Sequence, residues 1–262
     1  MLMADRKPFV CLMMLALSVL HPALAPPAAA EPTSRMVTVG VKGNMEATLY
    51  VPDGPGPFPS VIVIHTSQGI TEADRQYCAR LAREGFICIV PAFLRAYGIR
   101  QDAKEAAFTT DRESILADFG QIVGELNRQP MARPGAVGAV GFSNGGFFSV
   151  LLAAQQQVKA GVAYYGALMG VMQPVSNNPF LRSFTASSAP VLLLAGGNDT
   201  TMGMAPVRRL EEIVKAAGAP SELVVYPDAE HGFDRNNLRP GNGAAGADGW
   251  TRTLAFLRRN LR

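Results

Sequence analysis

The residues Ala136-Val137-Gly138-Ala139-Val140 run directly into Gly141-Phe142-Ser143-Asn144-Gly145-Gly146. That order predicts a buried strand, a tight Gly-x-Ser-x-Gly turn and a helix opening near Asn144, with the serine hydroxyl pushed out of the sheet's edge. The glycines have a steric reason, because a β-carbon at Gly141 or Gly145 would crowd the strand or helix beside it. The helix N-terminus would aim free N–H groups at the space above Ser143, where an oxyanion could form. The five-residue pattern alone also fits an ordinary turn between buried elements, so it needs support from elsewhere in the chain.

Histidine supplies that support. The chain has three histidines, His21, His65 and His231. A Ser–acid–His chain order requires the base to follow the serine, and His231 alone does so. It follows the strand-like Glu222-Leu223-Val224-Val225-Tyr226, on a loop where such a base must hang. The acid should follow another buried strand between these two. Val191-Leu192-Leu193-Leu194-Ala195 followed by Gly196-Gly197-Asn198-Asp199 supplies one. Asp228 and Asp234 compete, but they flank His231 on its own loop; Asp199 is the better placed, with helix N-capping as its alternative role. Ser143 would then be the nucleophile, His231 its base and Asp199 the residue that fixes the imidazole tautomer. Two oxyanion donors are expected. One is the backbone N–H of Asn144. The other is the backbone N–H of Ser67, with that of Thr66 second, on the loop after Val61-Ile62-Val63-Ile64. His65 is expected to anchor this loop by side-chain hydrogen bonds and, with Thr66, to border the substrate. With so few partners nearby, it is not expected to bind metal.

The chain opens with Arg6 and Lys7, an apolar run from Pro8 to Leu20, and then small residues and prolines to Ala30. This is the order of a secretory leader, with Ala28-Ala29-Ala30 as the cleavage signal, and it predicts export to a periplasm or beyond. The apolar core is about 13 residues, short for a membrane span. Without residues 1–30, 22 basic and 20 acidic residues remain, a net charge of +2. So near-neutral a chain points to neither nucleic acid nor an anionic membrane. Residues 31–262 suffice for one domain with a large core. Two cysteines stay in the mature chain, Cys78 on a helix face with Leu81 and Ala82, and Cys88 in the next strand. A disulfide needs Cα atoms within about 7 Å, and a helix packed on a sheet usually holds them farther apart, so two buried thiols are expected.

Strands read near residues 36–41, 45–51, 60–65, 86–91, 136–141, 159–165, 190–196 and 222–227. The first two alternate, as antiparallel edge strands do; the others are continuous apolar runs, covered on both faces. Helices are expected over 71–83, from a Thr110/Glu113 capping box through Leu126, and over 144–157, 204–217 and 247–260. The result is an α/β chain with a mostly parallel, doubly wound sheet and its cleft beyond the strands' carboxyl ends. Connections 93–109, 166–188 and 232–246 should line that cleft. The second carries Met169, Met172, Phe180 and Phe184, which suggest an apolar wall for the substrate.

The chain resembles the dienelactone hydrolase family of α/β-hydrolases over nearly all of residues 31–262. The resemblance rests on Leu49-Tyr50-Val51-Pro52, the Ser143 turn, the Asp199 loop, Glu230-His231-Gly232-Phe233 and Trp250-Thr251-Arg252-Thr253-Leu254-Ala255-Phe256-Leu257. It implies an eight-stranded sheet with helices on both faces, hydrolysis of esters or lactones, and no cofactor. Two departures stand out: Ser143 occupies the place of the family's cysteine nucleophile, and Thr66 that of a glutamate which activates the cysteine. A serine with its own His–Asp support needs no such switch, and dienelactone itself is therefore not carried over as the substrate. The expected function is an exported serine esterase acting on a small-molecule ester through an acyl-enzyme. Alternatives are a peptidase or polyester depolymerase with the same three residues, or a non-catalytic binding module on this scaffold.

Overall fold

The computed structural model describes residues 32–262 apart from 41, 43, 44, 236–238 and 240. The expected leader and its expected cleavage signal at Ala30, and the last residue of the first expected strand, lie outside the described residues. Eight strands form one sheet: β1 (Thr33–Val39), β2 (Met45–Val51), β3 (Phe58–Ile64), β4 (Ile87–Pro91), β5 (Ala132–Phe142), β6 (Ala160–Tyr164), β7 (Val191–Gly196) and β8 (Ser221–Tyr226). Their order is β1-β2-β4-β3-β5-β6-β7-β8, antiparallel for β1–β2 and β2–β4 and parallel from β4 to β8. The apolar runs Val61–Ile64, Val137–Val140 and Val191–Ala195 are buried throughout, because helices cover both faces there. β5 starts four residues earlier than its apolar run, since Ala132 pairs with Phe58 across an irregularity in register.

The helices are α1 (Glu72–Arg83), α2 (Phe93–Ala96), α3 (Arg112–Asn127), α4 (Asn144–Ala154), α5 (Pro179–Ser183), α6 (Ala205–Ala216) and α7 (Asn242–Asn260). Tyr77, Cys78 and Leu81 of α1 pack with Leu254, Phe256 and Leu257 of α7 in one core cluster. Ile115 and Phe119 of α3, Val150 and Leu151 of α4, and Leu210 and Val214 of α6 belong to the other. Every residue of α4 is buried, which suits a helix whose sequence is apolar on all sides. Thr71 caps α1, and the Asp74 carboxylate accepts from the Thr71 N–H at 2.8 Å. No such box opens α3: Asp111 is its N-cap without a side-chain bond, and the Thr110 hydroxyl turns back toward the Ala106 carbonyl.

Two further expectations change. Cys78 and Cys88 form a disulfide, with Cα atoms 5.4 Å apart and both residues fully buried. The tight turn at Gly85 brings β4 straight back beneath α1, so the two side chains meet on facing surfaces. α7 begins at Asn242 rather than near 247, taking in the Gly-rich Asn242-Gly243-Ala244-Ala245-Gly246. Buried Asn242 accepts the Glu230 N–H at 3.0 Å and Ala245 is buried beside it, so tertiary contacts overcome weak helix propensity.

Candidate active site

Ser143 sits between β5 and α4 with φ +50° and ψ −112°, a conformation non-glycine residues seldom take. Its neighbours hold it there. The Ser143 N–H donates to the Tyr164 carbonyl at 3.0 Å, and the Ser143 carbonyl accepts from Gly146 at 2.9 Å and Ala167 at 2.8 Å. The glycines are sterically required. A β-carbon on Gly141 would lie 2.0 Å from the Gly145 carbonyl oxygen, and one on Gly145 would lie 1.9 Å from that of Ile64.

Three side chains remote in sequence meet at this turn. The Ser143 hydroxyl lies 3.0 Å from His231 Nε2, and His231 Nδ1 lies 2.8 Å from Asp199 Oδ2. A carboxylate only accepts, so Nδ1 carries the proton and Nε2 presents its lone pair to the serine. The other Asp199 oxygen accepts from the Thr201 and Met202 amides, each at 2.9 Å. Burial opposes ionisation of Asp199, but the bond from His231 and those two amides outweigh it and hold the carboxyl below its usual range. The competing carboxylates are elsewhere: Asp228 is exposed, and Asp234 accepts a hydrogen bond from the Tyr165 hydroxyl.

A cavity of about 1110 Å³ opens above Ser143 and His231. All three expected connections contribute, with Phe108, Met169 and Arg235 among the lining residues, as do Thr66, Ser67 and Asn144. Asn144 is the first residue of α4, so its N–H has no acceptor within the helix. Other candidates lie away from the cavity. His65 is fully buried, stacked on Phe93 at 4.4 Å between ring centroids, so its side chain does not border the substrate. Its Nδ1–H does donate to the Thr66 carbonyl at 2.7 Å. Burial pushes its pKa down to about 4. Met172 is exposed and outside the cavity lining, while Phe180 and Phe184 are buried in the core, so of the expected apolar wall Met169 alone reaches the cavity. Phe108, Phe147, Pro179 and Met202 add to it.

A second set of residues, unforeseen from sequence, braces His231. The Tyr165 ring meets the imidazole edge-on at 4.8 Å between centroids. Tyr165 donates to Asp234 and accepts from Arg235 Nε at 3.2 Å. Arg235 also donates to buried Asp74 at 2.8 Å and to the Thr71 hydroxyl at 3.3 Å, its guanidinium 4.2 Å over the Phe142 ring. Burial would raise the Asp74 pKa, yet Arg235 and the Thr71 bonds hold it below the usual range. One signal was present in sequence: Asp74 shares the face of Tyr77, Cys78 and Leu81 at i, i+3, i+4 and i+7, and a carboxylate on an apolar face calls for a buried partner.

A mostly parallel sheet wrapped by helices, with a serine at the strand-to-helix turn above it, defines the α/β-hydrolase class. The profile of the dienelactone hydrolase family matches residues 45–261, and the chain belongs to that family of carboxylic ester hydrolases. A relative from Methylorubrum extorquens, assigned as a carboxymethylenebutenolidase, is 32% identical over 225 residues, covering 82% of this chain and 77% of its own. One from Escherichia coli, with the same assignment, is 34% identical over 213 residues and 78% of each chain. Among solved structures, one assigned as a dienelactone hydrolase from Klebsiella pneumoniae superposes with a TM-score of 0.75 at 29% identity, covering 87% of this chain and 99% of its own.

Proposed function

We propose that this protein is an exported serine hydrolase that cleaves carboxylic esters, lactones among them, through an acyl-enzyme. The observation that carries the reading is the hydrogen-bonded line from Ser143 through His231 to Asp199 at 3.0 and 2.8 Å, on the floor of a cavity. Ser143 Oγ attacks the ester carbonyl as His231 Nε2 takes its proton, and the carbonyl oxygen becomes an oxyanion facing the amides of Asn144 and Ser67. Collapse expels the alkoxide, which receives the proton from the imidazolium and leaves the acyl group on Ser143. Water, deprotonated by the same nitrogen, then frees the acid and restores the serine. Asp199 keeps the productive tautomer and stabilises the imidazolium.

The apolar Phe108, Phe147 and Met169 share the cavity with the basic Lys104, Arg112 and Arg182 and the acidic Glu105, and Arg112 already pairs with Glu113 at 2.9 Å. The remaining excess of basic groups suits an ester with an apolar body and an anionic group. The name of the relatives' assignment, carboxymethylenebutenolidase, likewise joins a carboxyl-bearing group to a lactone, though dienelactone itself is not carried over. Export is supported by the order of residues in the leader and by the Cys78–Cys88 disulfide, a bond that persists in oxidising compartments. The test is labelling with a fluorophosphonate alongside turnover of a nitrophenyl ester series. Both should vanish in Ser143→Ala, with turnover lowered about 10⁴- to 10⁶-fold. Folded protein that neither labels nor turns over any ester would leave the binding-module alternative. For export, the periplasmic protein should begin at Glu31; one that keeps Met1 would refute cleavage.

A further inference from the structure

We propose that His65 is a positioning residue, whose Nδ1–H turns the Thr66–Ser67 peptide so that the Ser67 N–H faces the reacting carbonyl. The proposal deepens the serine-hydrolase reading and rests on it. A neutral imidazole has one N–H, and because the Thr66 carbonyl can only accept, the 2.7 Å contact assigns that proton to Nδ1. Nε2 has no hydrogen-bond partner among the described residues, so the ring's single donor serves this one bond. The ring itself has no freedom: it is fully buried and stacked on Phe93.

What that bond controls follows from the planarity of the peptide group. The Thr66 carbonyl and the Ser67 N–H belong to one trans peptide, so they point in opposite directions. The carbonyl is held on the core side by His65 and accepts a second bond from Gly69 N–H at 3.2 Å, closing a turn. The Ser67 N–H therefore points away from the core, and the turn does not use it. The Gln68 N–H is occupied by the Thr66 hydroxyl at 3.2 Å. Thr66 and Ser67 line the same cavity as Ser143. The end of β3 also abuts the first turn of α4, since a β-carbon on Gly145 would meet the carbonyls of Ile64 and His65 at 1.9 and 2.9 Å. The peptide that His65 sets is thus beside the one that presents Asn144. A buried ring outside the cavity decides how a cavity-lining amide points.

The test compares His65→Leu, which keeps bulk but loses the donor, with His65→Asn, whose side-chain amide can donate from nearly the same place. An oxyanion exists only after attack, so its donor acts on kcat rather than KM. For His65→Leu the expected result is a fall in kcat of about 10- to 100-fold, within what one oxyanion donor contributes. KM should barely change, and a trifluoromethyl ketone that forms an oxyanion on Ser143 should bind more weakly by the same factor. His65→Asn should recover most of kcat even where its melting temperature falls as far as that of the Leu variant. Equal losses of kcat in both variants, or a loss confined to KM, would overturn the proposal. Should the Leu variant not fold, ¹⁵N NMR of histidine in the wild-type enzyme decides: a proton on Nδ1 of His65 is required, and one on Nε2 refutes it. A wild-type enzyme that hydrolyses no ester defeats the parent reading; normal turnover in His65→Leu defeats this one alone.

Discussion

At the scale of single residues, Asp199 is the most exposed to test. It accepts three hydrogen bonds, one from His231 and two from backbone amides, so its orientation is fixed from both sides. Asp199→Asn should cost about 10⁴-fold in kcat by presenting an amide to Nδ1 and favouring the wrong tautomer. Exposed Asp228, changed to Asn, should leave turnover near wild type. Ester kinetics on both variants check the choice, and a larger loss in the Asp228 variant would sink it. His231 was legible because histidine is scarce and the chain order leaves no other base. His65 was half legible: its run of apolar neighbours announced the strand, and its anchoring bond was expected, but burial beneath Phe93 is a long-range contact that no local pattern carries. Met169 and Met172 show the same limit, since composition gives apolar character and not direction.

Among elements, the brace joining α1, the end of β6 and the His231 loop has a measurable consequence. Asp74 is fully buried, and its cation is Arg235. Arg235→Met should lower unfolding stability by about 3 kcal/mol, because it leaves a buried carboxylate without its partner. Adding Asp74→Asn should recover part of that loss, since the amide oxygen can still accept the Thr71 N–H. Urea unfolding of both variants measures this, and a single variant as stable as wild type would mean that the pair contributes nothing. The element boundaries were legible wherever apolar periodicity marked them, as in α1 and α6. They failed at α7, where a buried Asn242 recruits a Gly-rich segment into the helix, and at α3, where the capping pattern was present but not used.

The whole molecule responds to pH through several buried groups. For His65 the folded pKa of about 4 lies below the usual 6.5, so its contribution is fully present above pH 6.5 and is lost as pH falls toward 4. The size is about 3 kcal/mol. Asp74 and Asp199, held below their usual range, contribute stability that is present above the ordinary carboxylate pKa and fades as pH falls beneath it. Unfolding free energy should therefore already decline between pH 6.5 and 4, before the carboxylates protonate, and His65→Asn should flatten that part of the curve. Parallel curves for the two proteins would contradict the assignment.

Local order in the chain was enough to determine the alternation of strands and helices, the strained serine turn and its glycines, and the sequence of serine, acid and base. Those properties depend on neighbours a few residues away, where periodicity and backbone sterics act. Only the packed molecule decided that Cys78 and Cys88 would meet, that Arg235 would find Asp74, and that His65 would lie buried against Phe93. Each of those is a contact between side chains of different elements, brought together by packing. Direction and distance at such a contact come from close packing of the whole, not from the residues on either side of it.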